Sequence, residues 1–140
     1  MLDPKVVETH TAILFFVGDH VYKLKKAVDL GFFDNRDRPA REATCHREVD
    51  LNRRLAPDVY FGVLDLVDEA GEPVDHVVDM ARMPDDRRLS RCVERGDDVD
   101  DALRAAAHAV AALHAGSSHD PVHDRSATRD AVLGRWTDGF

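Results

Sequence analysis

The chain has 140 residues, 44% of them apolar, and carries 27 acidic against 19 basic side chains for a formal net charge of -8. That length suits one domain or part of one with a real core, and the acidic balance excludes duplex nucleic acid as a partner, because phosphates demand a basic footprint. The longest apolar run falls far short of the roughly 20 residues of a membrane span, and no basic segment leads into an apolar one at the N-terminus, so a soluble cytoplasmic protein is expected.

Val6 to Glu8 reads as a short first strand, and Thr9-His10-Thr11 as a tight connection. Ala12 to Val17 is a near-continuous apolar run of strand length; Gly18-Asp19 interrupts it, and Val21 to Lys25 resumes it with strict alternation. This pattern predicts a β-hairpin. Side chains on a strand alternate between faces, which sets Val21, Lys23 and Lys25 on one face and Tyr22 and Leu24 on the other. The segment from Ala27 to Arg41 holds Gly31, Asn35 and Pro39 without a sustained period and reads as a loop anchored by Phe32-Phe33.

From about Arg41 the spacing turns helical, with Cys45, Glu48, Val49, Asn52 and Leu55 on one side and Pro57 as the stop. Glu48 lies on or beside the apolar stripe. A carboxylate facing a core is costly unless paired, so Glu48 requires a basic partner from another element, and Lys23 is the candidate. Val59 to Val67 and Pro73 to Met83 read as two further strands joined by a turn at Asp68 to Glu72. Beyond Pro84 no strand signal remains. A short helix is expected over Asp86 to Glu94, ending near Gly96, and a second from Val99 with Asp97-Asp98 to cap it and Gly116 to close it. Ser117 to Ser126 reads as loop, and Ala127 to Trp136 as a last amphipathic helix.

Three of the few lysines fall within Lys23 to Lys26. Taken alone, such a cluster is most simply a solvated strand end. A face that begins with Val and continues with Lys, however, suits an apolar ring followed by a phosphate, and places a nucleotide site at the hairpin. Other constellations carry less. Cys45 and Cys92 have no disulfide-framework or zinc spacing, and Cys45 on the helical stripe reads as a small core residue. His114, His119 and His123, with Asp120 and Asp124, straddle a helix end and Pro121, so they share no rigid face for a metal ion. The paired aspartates before helical runs are caps.

Five strands with one helix between the third and fourth is the element order of a protein-kinase small lobe. The stretches VETHTAILFFVGDHVYKLKKAVDLGFFD, REVDLNRRLAPDVYFGV, VVDMARMPDDRRL and AALHAG together resemble the first part of the aminoglycoside-phosphotransferase-like kinase family, nearest to its bifunctional aminoglycoside phosphotransferase/ATP-binding branch. The resemblance implies an α+β fold: a kinase-like small lobe, with a five-stranded antiparallel sheet plus helix C, over residues 1–83, and the start of an incomplete helical large lobe over 84–140. It implies that Lys23 binds the α- and β-phosphates of ATP, with Lys25 as the register alternative, that Val21 lies against the adenine, and that Glu48 fixes the lysine. Asp79 to Met83 resembles the hinge, where the backbone at Met80 and Ala81 meets the adenine edge.

Two departures matter. The turn that holds a glycine-rich loop in kinases is here Glu8-Thr9-His10-Thr11, so Thr9, His10 and Thr11 are expected to offer side-chain hydrogen bonds in place of backbone cradling. The chain also reaches Phe140 without an HGD or HRD tripeptide or a GxxxxGK[ST] loop. ATP binding without phosphoryl transfer is therefore expected, with Mg²⁺ engaged only beside a complete large lobe. The alternative is a non-catalytic kinase-fold remnant that serves as a protein-interaction module. In either case the apolar stripes of helices 86–138 are expected to favour self-association.

Overall fold

The hairpin that the alternation predicts sits at the centre of the sheet. In the computed structural model, which describes residues 5–31, 33–118 and 121–138, β2 (Ala12–Val17) and β3 (His20–Lys25) pair antiparallel through the turn at Gly18-Asp19. Gly18 takes φ +56°, a left-handed conformation that only glycine adopts without strain, and it lets the chain reverse in two residues. β1 (Lys5–Glu8) flanks β2, and β4 (Tyr60–Val67) and β5 (Pro73–Ala81) complete a five-stranded antiparallel sheet of order β1-β2-β3-β5-β4.

The one helix inserted between strands, α1 (Arg38–Arg53), covers part of one sheet face. It begins three residues before the periodicity indicates. The Asp37 side chain caps it by accepting from the Ala40 N–H at 2.7 Å, and Pro39 is tolerated in the first turn, where its missing N–H has no partner to lose. Cys45 and Val49 pack on Val78, with Tyr60, Val63 and Met80 around them. Arginines fasten both ends. Arg41 Nε donates to the Asp75 carboxylate at 3.0 and 3.1 Å near the start, and Arg53 Nε donates to the Tyr60 carbonyl at 2.8 Å near the end.

A bulge in β4 decides which residues meet the helix. The register slips between Tyr60 and Gly62, so Tyr60 lies opposite Met80 while Val63 lies opposite Val78, and both reach the α1 side despite their odd spacing. Simple alternation would have separated them. The loop after β3 is held by Asn35, 2% exposed, whose side-chain oxygen accepts from the Thr44 hydroxyl at 2.9 Å. Asn35 is thus a polar anchor bonded to the helix; of the expected Phe32-Phe33 anchor, Phe33 is half-buried and Phe32 lies outside the described residues.

The chain divides into two units, residues 1–104 and 105–140. The first also holds a 3-10 turn (Asp85–Arg87) and α2 (Leu89–Arg95), which ends on Gly96 at φ +77°. α3 (Asp100–Ala115) crosses the boundary between the units, and Asp98 accepts from the Asp100 N–H at its start. The second unit continues with α4 (Pro121–Ser126) and α5 (Arg129–Asp138). The expected loop before α5 therefore includes a helical turn and a half, started by Pro121, whose fixed φ suits a first helical position. Among the described residues no helix is long and apolar enough to cross a membrane.

Candidate functional site

The alternation of β3 delivers Val21, Lys23 and Lys25 to the sheet face that carries α1, opposite Met80 and Val78 of β5 on one side and Phe16, Leu14 and Ala12 of β2 on the other. Glu48 comes down from α1 between Cys45 and Val49. Its Oε1 accepts from Lys23 Nζ at 2.8 Å, and its Oε2 accepts from Lys25 Nζ. The carboxylate is thus divided, one oxygen to each lysine.

Burial separates the two cations. The side chain of Lys25 is 9% exposed, that of Glu48 14% and that of Lys23 27%. Lys25 lies in register with Ala12, which is fully buried, whereas Lys23 is the more exposed of the two. Burial by itself raises the Glu48 pKa, but hydrogen bonds and charge from both lysines outweigh it, and the carboxyl lies below its ordinary value. Tyr60 shares the field: burial first, and the Glu48 charge second, raise its phenol. The Cys45 thiol is pushed up to about 11, chiefly by burial, and behaves as a core residue. Two ammonium groups and one carboxylate leave this cluster with a formal charge of +1 in a largely desolvated place.

The remaining expected site residues are less open to a ligand. The Thr9 hydroxyl is occupied within its own turn, donating to the Ala12 carbonyl at 3.0 Å and accepting from the Ala12 N–H at 3.1 Å. Lys26 Nζ donates to the Thr9 carbonyl and pairs with Glu8, closing the turn from outside. His10 is exposed at the tip, and Thr11, half-buried beside it, accepts from the Lys26 N–H at its carbonyl. Val21 is almost wholly buried, leaving little surface for a ring. The Ala81 N–H is taken by the Val59 carbonyl and the Arg82 N–H by the Asp19 carbonyl, both at 2.8 Å, while Met80 lies in register with Val21.

Three features of the first unit escape a reading of periodicity. Lys25 is an equal partner of Glu48, because a carboxylate has two oxygens and two lysines two residues apart reach the same face. His76, nearly buried on β5, places Nδ1 2.9 Å from Asp65 and Nε2 3.5 Å from Glu42 of α1. On the opposite face His20 Nδ1 lies 2.7 Å from Asp79, and its ring contacts those of Tyr22 and Phe61. The His76 contact depends on the register of the β4–β5 hairpin and the His20 contact on β5 pairing with β3, which no local pattern reveals. Of the histidine-rich segment, His119 and Asp120 lie outside the described residues.

No family model matches the chain, and no solved structure matches it. Among curated proteins it is similar to uncharacterized proteins of Mycobacterium bovis (Mb2027c) and Mycobacterium tuberculosis (MT2060 and Rv2004c), each 39% identical over 131 residues. The alignment covers 94% of this chain and 26% of each relative, so the chain spans about a quarter of the length of the curated relatives it matches.

Proposed function

We propose that this chain is the nucleotide-binding part of an aminoglycoside-phosphotransferase-like small-molecule kinase, with a kinase-like small lobe built on the five-stranded sheet and α1. One observation carries the reading: Glu48 is shared by Lys23 and Lys25, and the cluster keeps a net positive charge in a place with little water. Charge held in low dielectric is costly unless an opposite charge completes it, and a phosphate group at the partly exposed Lys23 supplies that charge. These residues supply charge that holds a nucleotide, while the metal ions and the oriented nucleophile that phosphoryl transfer also requires are not supplied by them, so binding without turnover is expected.

The occupied Thr9 hydroxyl and the missing glycine loop make the phosphate grip weak, so we assign a Kd for Mg·ATP on the order of 1 mM, about -4 kcal/mol. At 10 mM Mg·ATP such affinity stabilises the native state by about 1.4 kcal/mol, enough to read as a raised unfolding midpoint. Calorimetric titration of the purified chain tests this directly. Saturable heat with Mg·ATP that weakens in Lys23→Ala supports the reading; no heat and no midpoint change at 10 mM end it.

A second reading, an interaction module on a kinase-like scaffold, draws on the opposite sheet face. There Phe15, Val17, Tyr22, Leu24, Leu64 and Leu66 line an open apolar groove of about 450 Å³. Apolar surface gathered in this way marks contact sites. Failure of nucleotide binding together with concentration-dependent light scattering favours this reading.

A further inference from the structure

The segment that leaves the sheet after β5 is basic in an acidic chain. Residues 82–91 carry Arg82, Arg87, Arg88 and Arg91 against Asp85 and Asp86, while the whole chain has a formal charge of -8. Pro84 leads into the 3-10 turn Asp85–Arg87, and Arg88, the residue before α2, keeps an extended backbone with φ -61° and ψ 135°. This succession of turn and helix start brings Arg88 and Arg91 to one pocket of about 270 Å³, which Asp85 and Lys5 of the edge strand β1 complete.

Three cations share a single carboxylate in that lining. Asp85 Oδ1 lies 3.0 Å from Arg88 Nη2, and its Oδ2 lies 3.8 Å from Lys5 Nζ, too far for a hydrogen bond. Glu94, which is not part of the lining, holds one Arg91 nitrogen at 3.1 Å and leaves most of the guanidinium's N–H donors unused. Lys5 Nζ stands 5.5 Å from the centroid of the Phe16 ring, which Arg82 flanks at 5.7 Å. All four lining side chains are more than half exposed. Ion pairs so exposed add little to stability, so stability gives no reason for three cations to converge.

We propose that this pocket binds a phosphate group. The lining carries three cations and one carboxylate, a formal +2, and a phosphomonoester is close to a dianion above neutral pH. Its oxygens take the forked N–H donors of Arg88 and Arg91 and the ammonium of Lys5, while Asp85 keeps Arg88 and Lys5 near their places before the ligand arrives. The volume leaves room beyond the phosphate for a small organic group, so the ligand class is a small phosphorylated molecule. The proposal does not depend on the reading of the Glu48 cluster: Lys5 is in register with Phe16, and Phe16 with Val21, two residues before Lys23 on β3.

The test is a titration of the isotope-labelled full chain with inorganic phosphate and with glycerol 3-phosphate, at pH 8 and at ionic strength held constant with sodium chloride, followed by backbone amide shifts. Saturable shifts are expected at Lys5, Asp85, Arg88 and Arg91. Arg88→Ala and Arg91→Ala are each expected to weaken binding about fivefold, and Asp85→Asn, which removes the competing anion at constant size, to tighten it about threefold. Arg47→Ala takes an exposed cation from α1 and should leave the affinity unchanged. Tighter binding of glycerol 3-phosphate supports the phosphorylated molecule; binding of inorganic phosphate as tight or tighter keeps the pocket and makes the free ion its ligand. Shifts that grow without saturation, or an Arg47→Ala loss equal to that of Arg88→Ala, would mean diffuse attraction and overturn the site. Saturable shifts confined to Lys23 and Glu48 would also overturn it and leave the nucleotide reading standing.

Discussion

The two faces of the sheet differ in what they bury: the α1 side holds an ion cluster within the apolar core, and the other side leaves several apolar side chains in water. On the α1 side, ionised and polar groups are buried: Lys25 and His76 are nearly inaccessible, and Glu48 sits among Cys45, Val49 and Val78. On the other side, Leu64 and Leu66 stand exposed around a largely apolar groove that Asp65 also borders, and this face carries the His20–Asp79 pair. Ordinary folding burial explains an apolar core with a wet exterior, so each face asks for something beyond stability. The first keeps an ion cluster of a kind that apolar residues of similar volume often replace at no loss, and the nucleotide reading proposed above rests on it. The second leaves apolar area in water, which points to contact.

The sharpest way to break this contrast is to remove the carboxylate. Glu48→Ala leaves two ammonium groups without a counter-charge, and a loss of about 3 kcal/mol in urea unfolding is expected, toward the lower end for buried pairs because Lys23 is partly solvated. Leu64→Ala, measured in the same way, is expected to cost less than about 1 kcal/mol, since little of its surface leaves water on folding. Equal losses would show that the exposed face is packed as tightly as the covered one.

Core truncation sharpens the same comparison. Val78 is fully buried between α1 and the sheet, so Val78→Ala is expected to cost about 2 kcal/mol through lost transfer energy and a cavity. Leu66→Ala across the sheet removes more atoms yet should cost less. The order of the two urea midpoints decides it.

The acid limb of stability separates the faces more finely. Glu48 has a folded pKa below its unfolded value, so the native state binds its proton less readily than the unfolded chain. Its contribution is fully present above the unfolded pKa of about 4.3 and is lost as pH falls through the lower folded value. The difference in unfolding free energy between wild type and Glu48→Gln should therefore be level from pH 7 to about 5 and shrink below about 4.3. A difference that grows with acid would mean that burial outweighs the lysines.

The smallest expected effect is kinetic. Cys45, buried under α1 with its pKa pushed up to about 11, should resist iodoacetamide at pH 8 in the native protein and react at an ordinary rate in urea. Mass spectrometry after timed quenching measures it, and fast labelling of Cys45 in the native state would show α1 lifting from the sheet.

Local chemistry alone was sufficient for the five strands, the Gly18-Asp19 turn, α1 and the pairing of Glu48 with a lysine of β3. Period-two alternation, left-handed glycine and a carboxylate on an apolar stripe are properties of neighbouring residues, so they are legible without a fold. What the tertiary structure decided is of another kind. The β4 bulge brings Tyr60 and Val63 to one side, the return of β5 sets His76 against Asp65 and His20 against Asp79, and the approach of α1 gives Lys25 a place on Glu48 equal to that of Lys23. Each of these depends on the register or the distance between separate elements, and a hydrogen bond weakens over fractions of an ångström. Residue type and spacing limit which groups are able to meet; only packing settles which of two lysines is the more deeply buried.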